Sequence, residues 1–114
     1  MMKVLLVGED INALRLIALD LSVRGLTVAV VTERDELLSF VEASRPDVVI
    51  LDHVEPLDVY VLNPRQGGYE GSVILLIDQD LPSEFIAFLR PSETVKKPLQ
   101  LEVLVEHLQR IAVD

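Results

Sequence analysis

The run Pro-Asp-Val-Val-Ile-Leu-Asp-His-Val-Glu-Pro, from Pro46 to Pro56, constrains the fold of this chain more than any other stretch. Val48 to Leu51 are apolar at every position, so the segment has no polar face to set toward water. A strand of that kind is covered on both sides, the habit of a central strand in a parallel sheet flanked by helices. The carboxylate of Asp52 then arrives at the strand's C-terminal end, where open α/β sheets place their chemistry.

The rest of the chain alternates strand and helix periods around that centre. Lys3 to Val7 reads as a first strand, followed by the polar turn Gly8-Glu9-Asp10. Ile11, Leu14, Ile17, Ala18 and Leu21 then recur at helical spacing through about Arg24, with Asp10 placed to cap the helix and Gly25 to end it. Thr27 to Val31 reads as a second strand, and Thr32 is placed to cap a helix containing Leu37, Leu38 and Val41 that stops before Pro46. After Asp52 the pattern degrades. Leu57 to Leu62 leaves room for only a short helix before the breakers Asn63-Pro64 and Gly67-Gly68. Ser72 to Ile77 restores an apolar strand. A helix around Pro82 to Arg90, a short strand near Thr94 to Lys96 and a last helix from Leu99 to about Ile111 complete the series. Leu101, Leu104, Val105, Leu108 and Ile111 form the inward face of that last helix.

Five strands alternating with helices predict a doubly wound parallel sheet with helices on both faces and a short or irregular third helix. The flavodoxin-like strand order 2-1-3-4-5 is the usual solution at 114 residues, a length that suits one domain over residues 1–114. No apolar run approaches the roughly 18 residues of a membrane span, and no leader pattern precedes the first strand, so the expectation is a cytoplasmic protein. The absence of cysteine removes disulfides, thiolate metal sites and cysteine nucleophiles together. A net charge of −9 argues against direct binding of nucleic acid and suits a cation or a basic partner.

In the 2-1-3-4-5 order the ends of the first and third strands are neighbours, so Glu9, Asp10 and Asp52 are expected to converge. Three carboxylates together repel, and hard oxygen ligands with room for water suit magnesium. Lys97, fixed before Pro98 at the end of the fifth strand, can reach the same pocket as a point charge for an anion. An anion and magnesium in one site imply phosphate. Taken singly the same residues have plainer uses: Asp10 as a helix cap, Asp52 as a turn former, Lys97 as a solvated cation. His53 points away from the side that Asp52 faces and reads as incidental, and His107 falls on the outward face of the last helix and reads as solvated.

These residues, in this order, resemble the receiver domains of two-component response regulators over essentially the whole chain. The likeness rests on the acidic pair Glu9-Asp10, on Asp52 after an apolar third strand, on Pro56 four residues later, and on Lys97-Pro98 after the fifth strand. It implies that Asp52 accepts a phosphoryl group from the phosphohistidine of a sensor histidine kinase or phosphotransfer protein. It also implies that Glu9, Asp10, Asp52 and the backbone carbonyl of Val54 hold magnesium, and that Lys97 pairs with a phosphoryl oxygen. At most, the chain would then accept a phosphoryl group and remove it again. Three positions depart from the pattern. Ile77 stands where receivers carry a threonine or serine, Thr94 where they carry an aromatic residue, and Tyr60 where they usually have glycine. An isoleucine cannot donate a hydrogen bond to a phosphoryl oxygen, so the usual conformational switch is degraded.

Three functions remain open: an atypical phospho-accepting receiver, a pseudo-receiver serving as a phosphorylation-independent interaction or dimerisation module, and a flavodoxin-like binder of another ligand. The third is weakest, because "VGEDIN" offers one glycine and two acids where an anion would sit. Leu16 and Leu19 fall off the inward face of the first helix, and Phe85 to Leu89 is apolar nearly all round. Such surfaces are either buried within the monomer or cover a partner. In receivers the fourth helix, fifth strand and fifth helix often carry dimerisation, so the resemblance points to a homodimer there.

Overall fold

A computed structural model describes residues 2–52, 63–78 and 80–113. In chain order the elements are β1 (Lys3–Gly8), α1 (Ile11–Val23), β2 (Thr27–Val31), α2 (Arg34–Ser44), β3 (Val48–Asp52), a 3-10 turn (Pro64–Gly67), β4 (Ser72–Ile77), α3 (Ser83–Leu89), β5 (Glu93–Lys96) and α4 (Leu101–Val113). The strands form one parallel sheet in the order β2-β1-β3-β4-β5. This is the flavodoxin-like arrangement expected from the sequence.

Strand periodicity sorts the apolar residues into two layers. Leu5, Val7, Val49, Leu51, Val73, Leu75 and Ile77 pack with Leu37 and Val41 of α2 and Leu89 of α3. Val4, Leu6, Val48, Ile50, Ile74 and Leu76 pack with Leu14 and Leu21 of α1 and Leu104 and Leu108 of α4. Every residue from Val48 to Leu51 is fully buried. At about 1.5–3 kcal/mol per buried aliphatic side chain, that one strand anchors both layers.

Helix ends follow local chemistry with one correction. Asp10 caps α1, its Oδ1 accepting from the N–H groups of Asn12 and Ala13 at 3.1 and 3.2 Å. At the other end Gly25 takes φ +91°, and the Gly25 and Leu26 N–H groups donate to the Ser22 and Leu21 carbonyls. Thr32, expected to cap α2, does not. The chain is still extended at Glu33 (φ −124°, ψ 148°), which occupies the cap position without a side-chain bond. Asp35 and Glu36 in the first turn oppose the positive end of the helix dipole instead. The last helix begins at Leu101, two residues later than Leu99, with the Gln100 carbonyl accepting its first bonds.

The short helix expected over Leu57 to Leu62 lies outside the described residues. The breakers after it form the 3-10 turn, begun by Asn63, whose Oδ1 accepts from the Arg65 N–H at 2.9 Å.

The homodimer expected through the helix at Phe85 to Leu89 finds no support. Leu89 is buried and Phe85 and Ile86 pack against the core, which leaves Phe88 as its one exposed large apolar side chain. The outer face of α1 is different: Leu16, Leu19 and Val23 are 68, 62 and 80% exposed, on the side opposite Leu14 and Leu21. Among the described residues no helix is long and apolar enough to cross a membrane.

Candidate functional site

The sheet brings its chemistry together at the C-terminal ends of β1, β3 and β5. Gly8 and Asp52 are partners in the β1–β3 register. A Cβ on Gly8 would stand 3.1 Å from the Asp52 carbonyl oxygen and 3.2 Å from the Asp52 Cβ. Glycine is therefore what lets β1 pass close against the aspartate. On the other side of β3, Asp52 is registered with Leu76 of β4, and Ile77 with Lys96 of β5. The Lys97 N–H donates to the Ile77 carbonyl at 2.7 Å, which carries the lysine past the end of β4.

From there Lys97 reaches back to Asp52, its ammonium in ion-pair contact with Oδ1. The two side chains are 26 and 10% exposed, so this pair is far less screened than one on the surface. Apart from that contact, the buried Oδ1 accepts no hydrogen bond of ordinary geometry among the described residues.

The acidic pair is placed differently. Glu9 and Asp10 follow β1 at the same end of the sheet, both exposed, and Asp10 spends Oδ1 on the start of α1. Among the described residues no three of His, Cys, Asp and Glu gather into a group that could hold a metal ion. Val54 and His53 lie outside the described residues. The structure thus joins Asp52 to Lys97 and leaves the two acids beside them. The buried, otherwise unbonded Oδ1 of Asp52 and the neighbouring carboxylates still match a hard cation in donor type.

A groove of about 380 Å³ opens at this end of the sheet, where Asp52 and Lys97 meet Leu16, Ile17 and Asp20 of α1 and Pro98 and Leu99 before α4. A larger cavity of about 440 Å³ lies at the opposite end, between the C-terminus of α2 and the segment Gly67 to Gly71. It contains neither the aspartate nor the lysine. Of the three departing positions, Ile77 is buried in the core with Leu81 and Phe85 packed against the same cluster, Thr94 is exposed, and Tyr60 lies outside the described residues.

Two arrangements were not legible in the sequence. Arg65, in the 3-10 turn, donates to four carbonyls: Nε to Leu89 at 3.0 Å, Nη1 to Tyr69 at 2.9 Å and Gly71 at 2.8 Å, and Nη2 to Arg90 at 3.0 Å. Burial, and after it the nearby Arg90, push the Arg65 pKa down. The Tyr69 ring lies 5.6 Å beneath the guanidinium, and its hydroxyl donates to the Pro46 carbonyl at 3.0 Å. Burial pushes that phenol up to about 12. The only sequence signal was the pairing of a cation and an aromatic four residues apart. The second arrangement corrects the expectation for His107, which is not simply solvated: its ring contacts Arg110 and Glu93.

Comparison with known proteins places the fold. No family model and no curated protein matches the chain. Solved structures do. A CheY-like response regulator of Mesorhizobium loti is similar with a TM-score of 0.76 and 24% identity, over 96% of this chain and 98% of that one. The chemotaxis protein CheY4 of Vibrio cholerae gives 0.79 and 23%, over 97% and 98%. A response regulator of Thermotoga maritima gives 0.78 and 16%, over 100% and 99%. The chain has the receiver-domain fold of CheY-like response regulators along nearly its whole length.

Proposed function

We propose that this chain is an atypical receiver domain in which Asp52 accepts a phosphoryl group from the phosphohistidine of a sensor kinase or phosphotransfer protein. The observation that carries this reading is the Asp52–Lys97 pair, a largely buried carboxylate with its own cation at the C-terminal edge of a parallel sheet. In the step proposed, a carboxylate oxygen of Asp52 attacks phosphorus, the phosphorus–nitrogen bond breaks, and the imidazole leaves with the electron pair of that bond. Such a transfer asks the protein for an in-line nucleophile and cations for the phosphoryl oxygens. Lys97 supplies one cation from the end of β5.

Magnesium, when bound, would supply the second. Glu9, Asp10, Asp52 and the Val54 carbonyl are the groups proposed to hold it. The apolar groove beside Asp52, continuous through Leu16 with the exposed stripe of α1, supports a protein as phosphodonor. A cytoplasmic location is part of the same reading.

A small-molecule phosphodonor offered to the purified protein tests it by intact mass spectrometry. The expected result is addition of one phosphoryl group that requires magnesium, disappears in Asp52→Asn and falls at least about tenfold in Lys97→Ala, where an oxygen loses its cation. An unmodified wild type, beside a receiver that is modified under the same conditions, would overturn the proposal.

A second reading has its own support. The buried Ile77, the exposed Thr94 and the use of Asp10 as a cap fit a pseudo-receiver, which keeps the fold as an interaction module without phosphorylation. The same experiment separates the two.

A further inference from the structure

Three side chains that the proposed phosphoryl chemistry does not use meet at the other end of β5. Glu93 opens this edge strand, and His107 and Arg110 stand about one turn apart on α4. Nδ1 of His107 lies 2.6 Å from an Arg110 guanidinium nitrogen, Nη2, and 3.4 Å from Glu93 Oε2. The same Nη2 lies 4.0 Å from Glu93 Oε1. The His107 side chain is only 13% exposed, so these contacts are partly withdrawn from water.

One ring nitrogen therefore faces two incompatible demands. A guanidinium nitrogen only donates, so its contact requires a lone pair on Nδ1 and a neutral ring protonated at Nε2. A carboxylate only accepts, so drawing Glu93 into a hydrogen bond requires a proton on Nδ1. Nδ1 serves one partner or the other. Among the described residues, the charged groups set against the ring are Glu93 from β5 and Arg110 from α4 itself. Arg90, ahead of β5, is turned toward Glu70 at 3.7 Å, and Glu106 beside His107 is exposed.

We propose that His107 is a proton-operated latch between α4 and the edge strand. Neutral, it accepts from Arg110. When a proton from solvent binds the Nδ1 lone pair, the ring donates to Glu93 and Arg110 is displaced, with Glu93 Oε1 as its nearest remaining acceptor. The device does not depend on phosphorylation, but it acts on the strand that leads, four residues on, to Lys97. Protonation thus ties Glu93, at the start of that strand, to the His107 ring of α4.

Nitrogen-15 spectra of the protein test this, with the His107 signals assigned by their loss in His107→Gln. In alkaline buffer, with the ring neutral, the wild-type ring should carry its proton on Nε2. Arg110→Met at the same pH should flip the ring to the Nδ1–H tautomer donating to Glu93, and Glu93→Gln should leave it unchanged. On acidification of the wild type the Arg110 side-chain signals should move in step with the ring. An Nδ1–H tautomer in the alkaline wild type, an unflipped ring in Arg110→Met, or Arg110 signals indifferent to the titration would each overturn the latch.

Discussion

Replacing Arg65 by lysine tests how the 3-10 turn ahead of β4 is held to the end of α3. The guanidinium fork spans carbonyls of two separate elements, Leu89 and Arg90 at the end of α3 and Tyr69 and Gly71 before β4. Hydrogen bonds from a charged donor contribute about 1.5–3 kcal/mol each when shielded and much less when water can substitute. Two of the four bonds are partly buried and two are exposed, so the set contributes about 3 kcal/mol. A lysine keeps the charge and reaches one acceptor at a time, losing about 2 kcal/mol, and methionine loses nearly all of it. In a domain of 114 residues, 1 kcal/mol moves the melting temperature by about 4 °C. Arg65→Lys should therefore melt about 8 °C below wild type and Arg65→Met about 12 °C below, by calorimetry. A lysine variant within about 2 °C of wild type would show that charge suffices and that the fork geometry contributes little.

Tyr69 gives a pH dependence of definite sign. Its phenol is held at about 12 in the folded chain, above the ordinary value near 10, so its contribution is full below about pH 10 and is lost as pH rises through about 12. Urea unfolding at about pH 9 and about pH 11 should show a fall in stability that is smaller in Tyr69→Phe, and equal falls would refute the assignment. Gly8→Ala should cost about 1–3 kcal/mol, because the added Cβ meets the backbone and Cβ of Asp52 within 3.2 Å. The same variant should slow phosphoryl acceptance at Asp52, measured by the mass of the adduct over time. Asp10→Asn separates capping from metal binding: asparagine caps as well as aspartate, so metal-free stability should hold while any magnesium-induced rise in melting temperature shrinks, whereas Asp10→Ala should lose about 1 kcal/mol without metal.

The sheet was legible because its strands leave little choice. Val48 to Leu51 and Val73 to Ile77 are apolar on both faces, and a strand of that kind has one place to go. Asp52 was legible for the same reason, at the end of such a strand, whereas Lys97 follows the mixed strand β5 and meets Asp52 only because its long side chain reaches back across the end of β4. What stayed hidden was set by contacts between distant segments. The carbonyls that Arg65 grips belong to any residue and carry no signature, and two of them lie 24 and 25 positions away. His107 was misread because helical periodicity distinguishes the core side of α4 from the rest. It does not distinguish water from an edge strand lying alongside. Thr32 failed as a cap because the chain runs extended for one residue more than the pattern implied, a shift that backbone geometry decides and composition does not.

Ile77 bears on what a phosphoryl group at Asp52 could do beyond the site. A modification shifts a conformational equilibrium only by the difference between the contacts it makes in the two states. Drawing the loop after β4 inward would need a donor at position 77, worth about 1.5–3 kcal/mol as a charge-assisted bond, and isoleucine has none. Burial of the same side chain, 4% exposed, holds the end of β4 in place by about 2 kcal/mol. Lys97 adds little to the difference, because it is already engaged with Asp52 before any phosphoryl group arrives. Moving a two-state element from 1:99 to 99:1 takes about 5.5 kcal/mol, and these residues do not supply it. On the proposed function, a phosphorylated state is therefore best read at the site itself, by a partner in the groove of Leu16, Ile17 and Pro98 that meets the phosphoryl group directly. A change relayed to the face of α3 and β5 would need a hydrogen-bond donor at position 77, which isoleucine does not provide.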